Sequence, residues 1–402
     1  MKIGIVSDMH LGYERFRQDA YVQAKCALEM ASESCDMILI PGDVFDSRTP
    51  SPDVIAEGIN LFREISKKDW KARVSSYESD RETHTDVPII AVSGTHERTA
   101  VGRDNALRLL DLAALLVDTS EARTIVQKGK EKVSVYGLGG VSEELFKSKI
   151  EELGIKPTPG VFNIFMFHQS LYEILPFNDQ YMHIDELPEG FDLYVDGHLH
   201  TQTEKEVHGK KFLIPGSTVI TQMKDAEQSS KGFIIFDTET YSYEFIEIGS
   251  RPFAVRKISV SGKSGEEIRS DCSSEIESVI NTFKDAPIVR IKLEGELRPG
   301  ISNSDLSLKN LTAKYSKSAF IDIDSSKITN KSMEEGIESV RSSTIRGESV
   351  KERGMDVLNQ ALASLGFSLS IKPDELMDLL TSNSKKEKFT DEILERLDSD
   401  SS

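Results

Sequence analysis

Five apolar runs of strand length punctuate this chain, and each is followed by acidic residues or histidines. The runs are Lys2–Val6, Met37–Ile40, Val87–Val92, Val161–Phe167 and Phe191–Val195. Helical stretches separate the earlier ones. Gln18–Ala31 carries Tyr21, Ala24, Leu28 and Ala31 at helical spacing, Val54–Ile65 follows the start signal Ser51-Pro52-Asp53, and Asn105–Leu116 comes third. Such alternation predicts an α/β domain with helices covering a sheet. Further on the strands crowd together. A hairpin of Arg123–Val126 and Lys132–Leu138 turns around Lys128-Gly129-Lys130, the helix Ser142–Leu153 follows, and Lys211–Ile214 and Gly232–Phe236 are strands.

With 402 residues the chain has room for two or three domains. The first, 1–250, is expected to close at Gly249-Ser250-Arg251-Pro252. A smaller strand–helix–strand–helix–strand unit then occupies 251–325: Val255–Val260, Ser273–Phe283, Ile288–Leu293, Ser302–Lys314 and Ala319–Ile323. The stretch 326–372 is rich in Ser, Lys and Glu and holds one helical pattern, Val350–Leu365. Within 373–398 two short amphipathic helices, Pro373–Leu380 and Thr390–Leu397, flank a polar loop. Their Leu376, Leu379, Leu380, Ile393, Leu394 and Leu397 cannot be buried by helices this short. They pack either on the body of the chain or on a partner. The polar insertion Lys67–Asp86 is expected to be a mobile surface loop, and no role is assigned to it.

Lys and Arg number 49 against 67 Asp and Glu, a net charge of −18. That excludes nucleic-acid binding through bulk positive charge, and leaves room for a local basic patch or an acidic site filled by cations. No apolar run is long enough to span a bilayer and the N-terminus does not read as a signal peptide, so no membrane association is expected. Cys26, Cys35 and Cys272 form no even framework, which suits a reducing cytoplasm.

The chemistry-bearing segments are Asp8-Met9-His10, Gly42-Asp43-Val44-Phe45-Asp46, Gly94-Thr95-His96-Glu97, Phe167-His168 and Gly197-His198-Leu199-His200. A lone Asp-x-His, or a lone histidine, is most often incidental. Five such segments in series, each leaving a strand where α/β folds place ligands, are not. A carboxylate can bridge two cations through its two oxygens, and neutral imidazoles suit transition metals better than calcium or magnesium. His84, His183 and His208 fit no segment and are expected at the surface.

The series D-x-H, G-D-x-x-D, G-N-H-[DE], H, G-H-x-H resembles that of the calcineurin-like metallophosphoesterases. Within them, Ser7-Asp8-Met9-His10-Leu11-Gly12-Tyr13 and Gly42-Asp43-Val44-Phe45-Asp46-Ser47 resemble the Mre-eleven (bacterial SbcD) double-strand-break repair nucleases, in archaeal form. The resemblance covers about residues 1–250. It implies an α/β fold built as a four-layer α/β/β/α sandwich, with 251–325 as a smaller α/β DNA-capping domain and a C-terminal helical tail. It implies two manganese ions per subunit, activity on DNA ends, and a homodimer through helices, here Val54–Ile65 and Asn105–Leu116. It also implies docking of 373–398 on a coiled-coil ABC ATPase of the Rad-fifty (SbcC) type. Carried over by position, Asp8, His10, Asp43 and His200 would hold the first metal. Asp43 would bridge to a second, completed by His168, His198 and the residue at 95, and His96 would stand beside the scissile phosphate.

One position departs from the family. Thr95 stands where Asn is usual, and a hydroxyl on a shorter side chain is a poorer ligand than an amide oxygen. Arg15, Arg17, Arg48, Arg98 and Arg103 lie close behind the motifs as candidate phosphate contacts, which position DNA without reading its sequence. The expected function is therefore a manganese-dependent DNA nuclease. Two alternatives stay open. One is another calcineurin-like phosphatase or phosphodiesterase, although phosphoprotein phosphatases read Arg-Gly where this chain has Ser47-Arg48. The other is a scaffold whose catalysis is weakened by Thr95.

Overall fold

A computed structural model describes residues 1–78, 81–98, 104–175, 181–298, 301, 306 and 308–329, with backbone alone at 76–78 and 81–84. Arg103, the helical pattern 350–365 and the paired helices of 373–398 lie outside the described residues. The chain begins β1 (Lys2–Ile5), α1 (Arg17–Ser34), β2 (Met37–Pro41), α2 (Pro52–Ser66), β3 (Arg73–Glu78), β4 (Arg81–Thr85) and β5 (Ile89–Val92). It continues through α3 (Ala106–Leu112), β6 (Val117–Asp118), β7 (Arg123–Lys128), β8 (Glu131–Leu138), α4 (Glu143–Leu153), β9 (Phe162–Phe167) and β10 (Leu193–Asp196). Then come β11 (Thr203–Val207), β12 (Lys210–Ile214), β13 (Gly232–Asp237), β14 (Ser242–Glu247), β15 (Phe253–Ser259), α5 (Gly265–Thr282), β16 (Ile288–Glu296), α6 (Leu308–Tyr315) and β17 (Phe320–Thr329).

Two sheets dominate. One is six-stranded in the order β14-β13-β1-β2-β5-β6, the other eight-stranded in the order β11-β12-β10-β9-β8-β7-β3-β4. Both are mixed, with β1, β2, β5 and β6 parallel in the first and β8, β9, β10 and β12 parallel in the second. Strand periodicity explains the layering, because alternate side chains face opposite ways. In β2, Ile38 and Ile40 join the core beneath the helices α1, α2 and α3, whereas Met37 and Leu39 join the core shared by the two sheets. In β9, Ile164 and Met166 enter that shared core, while Phe165 and Phe167 turn outward to pack with Phe146 of α4. Helix, sheet, sheet, helix is the four-layer sandwich.

The helices form for local reasons. Pro52 at the first turn of α2 has no N–H to lose, and Val54, Gly58, Leu61, Phe62 and Ile65 make its buried face. Asn105 caps α3, its side chain accepting the Arg108 N–H at 2.8 Å.

The insertion at 67–86 is not a loop. It forms β3 and β4, with β3 pairing antiparallel to β7 from Arg73↔Gln127 to Tyr77↔Arg123. Ala72 and Val74 are buried in the core between the sheets, while the rest of the strand is polar because it lies near the sheet's edge. Backbone pairing, not apolar side chains, makes this segment a strand.

The chain divides into two compact units. The first contains Met1–Val255, Val279–Arg290 and Ser318–Phe320, and the second Arg256–Ser278, Ile291–Lys317 and the chain from Ile321. In the second, Ile258, Ile268, Cys272, Ile276, Ile291 and Leu293 are buried. A three-stranded sheet, β15-β16-β17, is ordered as the sequence runs. Among the described residues no helix is long and apolar enough to cross a membrane, and all three cysteines are free thiols.

Candidate metal centre

The donor residues sit just beyond the carboxyl ends of parallel strands. Asp8 and His10 follow β1, Asp43 and Asp46 follow β2, Thr95 and His96 follow β5, His168 follows β9, and His198 and His200 follow β10. The first two loops zip together: Asp8 N–H donates to Gly42 O at 3.2 Å, His10 N–H to Asp43 O at 3.1 Å and Leu11 N–H to Val44 O at 2.8 Å. Between the donors Met9, Leu11, Val44 and Phe45 are fully buried or nearly so, which anchors the loops. Asp8, His10, Asp43 and His198 adopt φ of 50°, 47°, 51° and 68°, the left-handed region unfavourable to residues with a Cβ. Two glycines let the loops pass each other. A Cβ at Gly42 would lie 2.3 Å from His168 Nδ1, and one at Gly94 would lie 2.2 Å from Asp43 Oδ1.

Hydrogen bonds orient the rings. His10 Nδ1 meets Asp46 Oδ1 at 3.1 Å, His168 Nδ1 meets the Pro41 carbonyl at 2.7 Å, and His200 Nδ1 meets Thr221 Oγ1 at 2.7 Å. The acceptors at His10 and His168 assign the proton to Nδ1 and leave Nε2 facing inward. There His10 Nε2 and His200 Nε2 approach to 3.1 Å, with Asp8 Oδ1 4.0 and 3.6 Å from them. His168 Nε2 lies 3.3 Å from Asp43 Oδ2. Among the described residues both Asp8 oxygens and His168 Nε2 are buried without a hydrogen-bond partner. Orphaned acceptors and facing ring nitrogens are costly unless a cation lies among them, so the residues present fit a metal.

Among the described residues three donor groups converge: Asp8, His10 and His200; Asp8, Asp43 and His168; His10, Asp46 and His96. Asp8 is common to the first two. His198 belongs to none of them, and instead packs edge-on against His168 with ring centroids 5.2 Å apart. Burial, reinforced by the charge of His168, pushes His198 down to about 4, so it is a neutral imidazole. Thr95 is half-buried on the turn before His96. Burial works against the charged form of His168, yet the Asp43 and Asp8 carboxylates raise it to about 10. Asp43 is held far below the ordinary carboxylate range: burial opposes this, and the charge of His168, with those of His10 and His96, overcomes it.

A pH dependence follows. The His168 pKa rises from 6.5 to about 10, so the pair stabilises the metal-free chain fully below pH 6.5 and loses that contribution as pH climbs through 10. A cation taking Nε2 must displace the proton. Uptake of a divalent cation near pH 7.5 should therefore release about one proton and tighten as pH rises. Calorimetry in two buffers of different ionisation enthalpy measures this, and identical heats in both would sink it.

Several residues have parts that the sequence did not assign, Glu97 and Asp46 among them although both stand in motifs. Glu97 is buried and accepts the N–H groups of Asp43 (3.1 Å), Phe45 (2.7 Å) and Gly94 (2.7 Å), tying the second motif to the third. Burial, and then the charge of Asp43, raise it to about 8. Asp46 was visible in its motif but carried no assigned part. Glu227 and Lys231 lie behind His200, and nothing in their surroundings in the sequence marks them. Of the candidate phosphate contacts, Arg48 is exposed. Arg17 pairs with Glu57 at 2.8 Å, Arg15 lies 5.5 Å over the Phe320 ring, and Arg98 donates to the Val141 carbonyl.

Convergent Asp and His donors at the rim of a four-layer sandwich define the class of metal-dependent phosphoesterases. The calcineurin-like phosphoesterase model matches residues 1–202, half of the chain, and the chain belongs to that family. More particularly, it is 27% identical over 295 residues to the DNA double-strand break repair protein Mre11 of Methanopyrus kandleri, covering 66% of this chain and 61% of that one. It is 25% identical over 293 residues to the double-strand break repair protein MRE11 of Encephalitozoon cuniculi, covering 66% and 51%. With the Mre11 of Sulfurisphaera tokodaii identity is 26% over 310 residues, covering 73% of each. The chain thus spans roughly half to three quarters of the length of these relatives.

Proposed function

We propose that this chain is a manganese-dependent DNA nuclease that hydrolyses phosphodiester bonds at double-strand ends as the nuclease subunit of a repair complex. The observation that carries the proposal is the convergence of Asp8, His10, Asp43, His168 and His200, with both buried Asp8 oxygens lacking a hydrogen-bond partner among the described residues. In this reading Asp8, His10, Asp43 and His200 hold one cation. A second would be held by Asp43, His168, His198 and Thr95. Bound divalent cations would clamp a phosphodiester and lower the pKa of a water. The chain's residues do the rest. The Asp46 carbonyl, 2.7 Å from His96 Nδ1, accepts the N–H there, which leaves Nε2 of this 42% exposed side chain, 4.0 Å from Asp43 Oδ2, to hold a proton for the leaving oxygen. Arg15, Arg17, Arg48, Arg98 and Arg103 supply phosphate contacts or shape the surface that makes them, and the salt dependence of binding reports on them.

The region 251–325 would serve as a DNA cap and 373–398 as the docking element for a coiled-coil ABC ATPase. A homodimer through α2 and α3 is favoured by Leu109 and Leu112, 41% and 63% exposed on α3. The test is cleavage of linear duplex DNA by the full chain with Mn²⁺, with and without chelator. Cleavage only with the metal is expected; equal turnover in chelator, or hydrolysis of phosphoserine peptides in place of DNA, would overturn the reading. Thr95→Asn should tighten the weaker of two Mn²⁺ binding steps severalfold and raise the nuclease rate. An unchanged titration and rate would remove Thr95 from the ligand set.

A further inference from the structure

His200 is held from two sides by a buried ion pair outside every motif. The Lys231 side chain is 1% exposed and that of Glu227 3%, with Nζ 3.3 Å from Oε1. Lys231 Nζ also donates to the His200 carbonyl at 3.0 Å and to Ser217 Oγ at 2.9 Å, which uses all three of its protons. Glu227 accepts the N–H groups of Thr221 at 3.1 Å and Gln222 at 2.7 Å, so it fixes the segment whose Thr221 hydroxyl meets His200 Nδ1. Its Oε1 lies 3.7 Å from that same nitrogen. The hydroxyl could donate or accept, but a carboxylate beside Nδ1 favours N–H over a lone pair there. Nε2 then carries the lone pair, facing Asp8 and His10. A buried ion pair contributes little net stability compared with apolar residues of similar size, so a charged pair here calls for another reason.

We propose that Glu227 and Lys231 are positioning residues: Lys231 fixes the backbone of His200 and Glu227 its Nδ1–H tautomer, so that Nε2 is presented to a cation. This rests on the reading of His200 as a cation ligand. Partners of this kind behind metal ligands are worth about 10–100-fold in metal affinity.

The experiment uses the full chain and Mn²⁺ alone, with affinity measured by calorimetry and the His200 tautomer by nitrogen-15 NMR of metal-free protein. Glu227→Gln should weaken Mn²⁺ binding about tenfold or more and mix the two tautomers. Lys231 left unpaired could prevent that variant from folding. The double variant Glu227→Gln with Lys231→Met removes both charges, and Thr221→Val removes only the hydroxyl. Both should fold; the double variant should bind Mn²⁺ more weakly and show mixed tautomers, whereas Thr221→Val keeps the carboxylate and should hold the single Nδ1–H tautomer. A folded double variant with wild-type affinity and a single tautomer would reduce the pair to a structural role. If the wild type takes up no Mn²⁺, the metal reading itself falls; if it binds and all variants bind equally, only the positioning role falls.

Discussion

His96→Ala should bind Mn²⁺ within about twofold of wild type and cleave linear duplex DNA roughly 10²–10³-fold more slowly. The geometry separates this side chain from the ligands around it. His96 is 42% exposed whereas Asp43 beneath it is 2% exposed, and His96 Nε2 stands 4.0 Å from Asp43 Oδ2. Its backbone N–H donates to Asp43 Oδ1 at 2.9 Å, a bond that alanine keeps. The variant therefore removes an imidazole from the open side and leaves the carboxylate below it oriented. His96 also belongs to a donor group with His10 and Asp46, so the opposite outcome is well defined. If affinity and turnover fall in parallel, the ring is a ligand and not the group that manages the leaving oxygen's proton.

The neighbouring residue should behave in the reverse manner. Glu97→Ala strands the buried N–H groups of Asp43, Phe45 and Gly94, each costing about 1–3 kcal/mol, so a loss of about 3 kcal/mol or more is expected. Metal-free protein should melt roughly 10 °C lower, followed by circular dichroism in chelator. Glu97→Gln keeps an oxygen that can accept from two of the three donors, while its amide nitrogen opposes the third, so its loss should be smaller. Burial and the Asp43 charge raise Glu97 to about 8, so ionising it on the way up to pH 8 costs folded-state stability. Glutamine, which never ionises, should consequently fall least short of wild type above pH 8. An alanine variant melting within about 2 °C of wild type would refute the role.

What could be read from the sequence followed burial. Met37–Pro41 is buried at every position, and a short apolar run ending in Gly-Asp is legible as a strand meeting a site. The strands that went unread lie toward sheet edges. β11 shows only Val207 buried among Thr-Glu-Lys-Glu-Val, and β14 is half exposed throughout. Backbone pairing defines them, and composition carries no trace of that. The same physics hid Glu227 and Lys231 and the part that Glu97 plays in its motif, since a charged residue reads as surface until its partners are known. The donors themselves were legible because Asp, Gly and His recur in fixed order after strands. Their left-handed backbone and the Nδ1 acceptors behind them were not.

The donors come from both layers. Asp8, His10, Asp43 and His96 leave the six-stranded sheet, whereas His168, His198 and His200 leave the eight-stranded one. Apolar contact, through residues such as Leu39, Val92, Met166 and Val195, fills the space between those layers, and the His168 Nδ1 bond to the Pro41 carbonyl crosses it. Such contact has no preferred direction, and a core tolerates changes of volume by small slides of one sheet over the other. Those side chains therefore act as shims beneath the donors. A methyl group added to or removed from one of them, with no donor touched, would alter the distance across which an ion must be gripped, making ion selectivity a gauge of how the interior is filled.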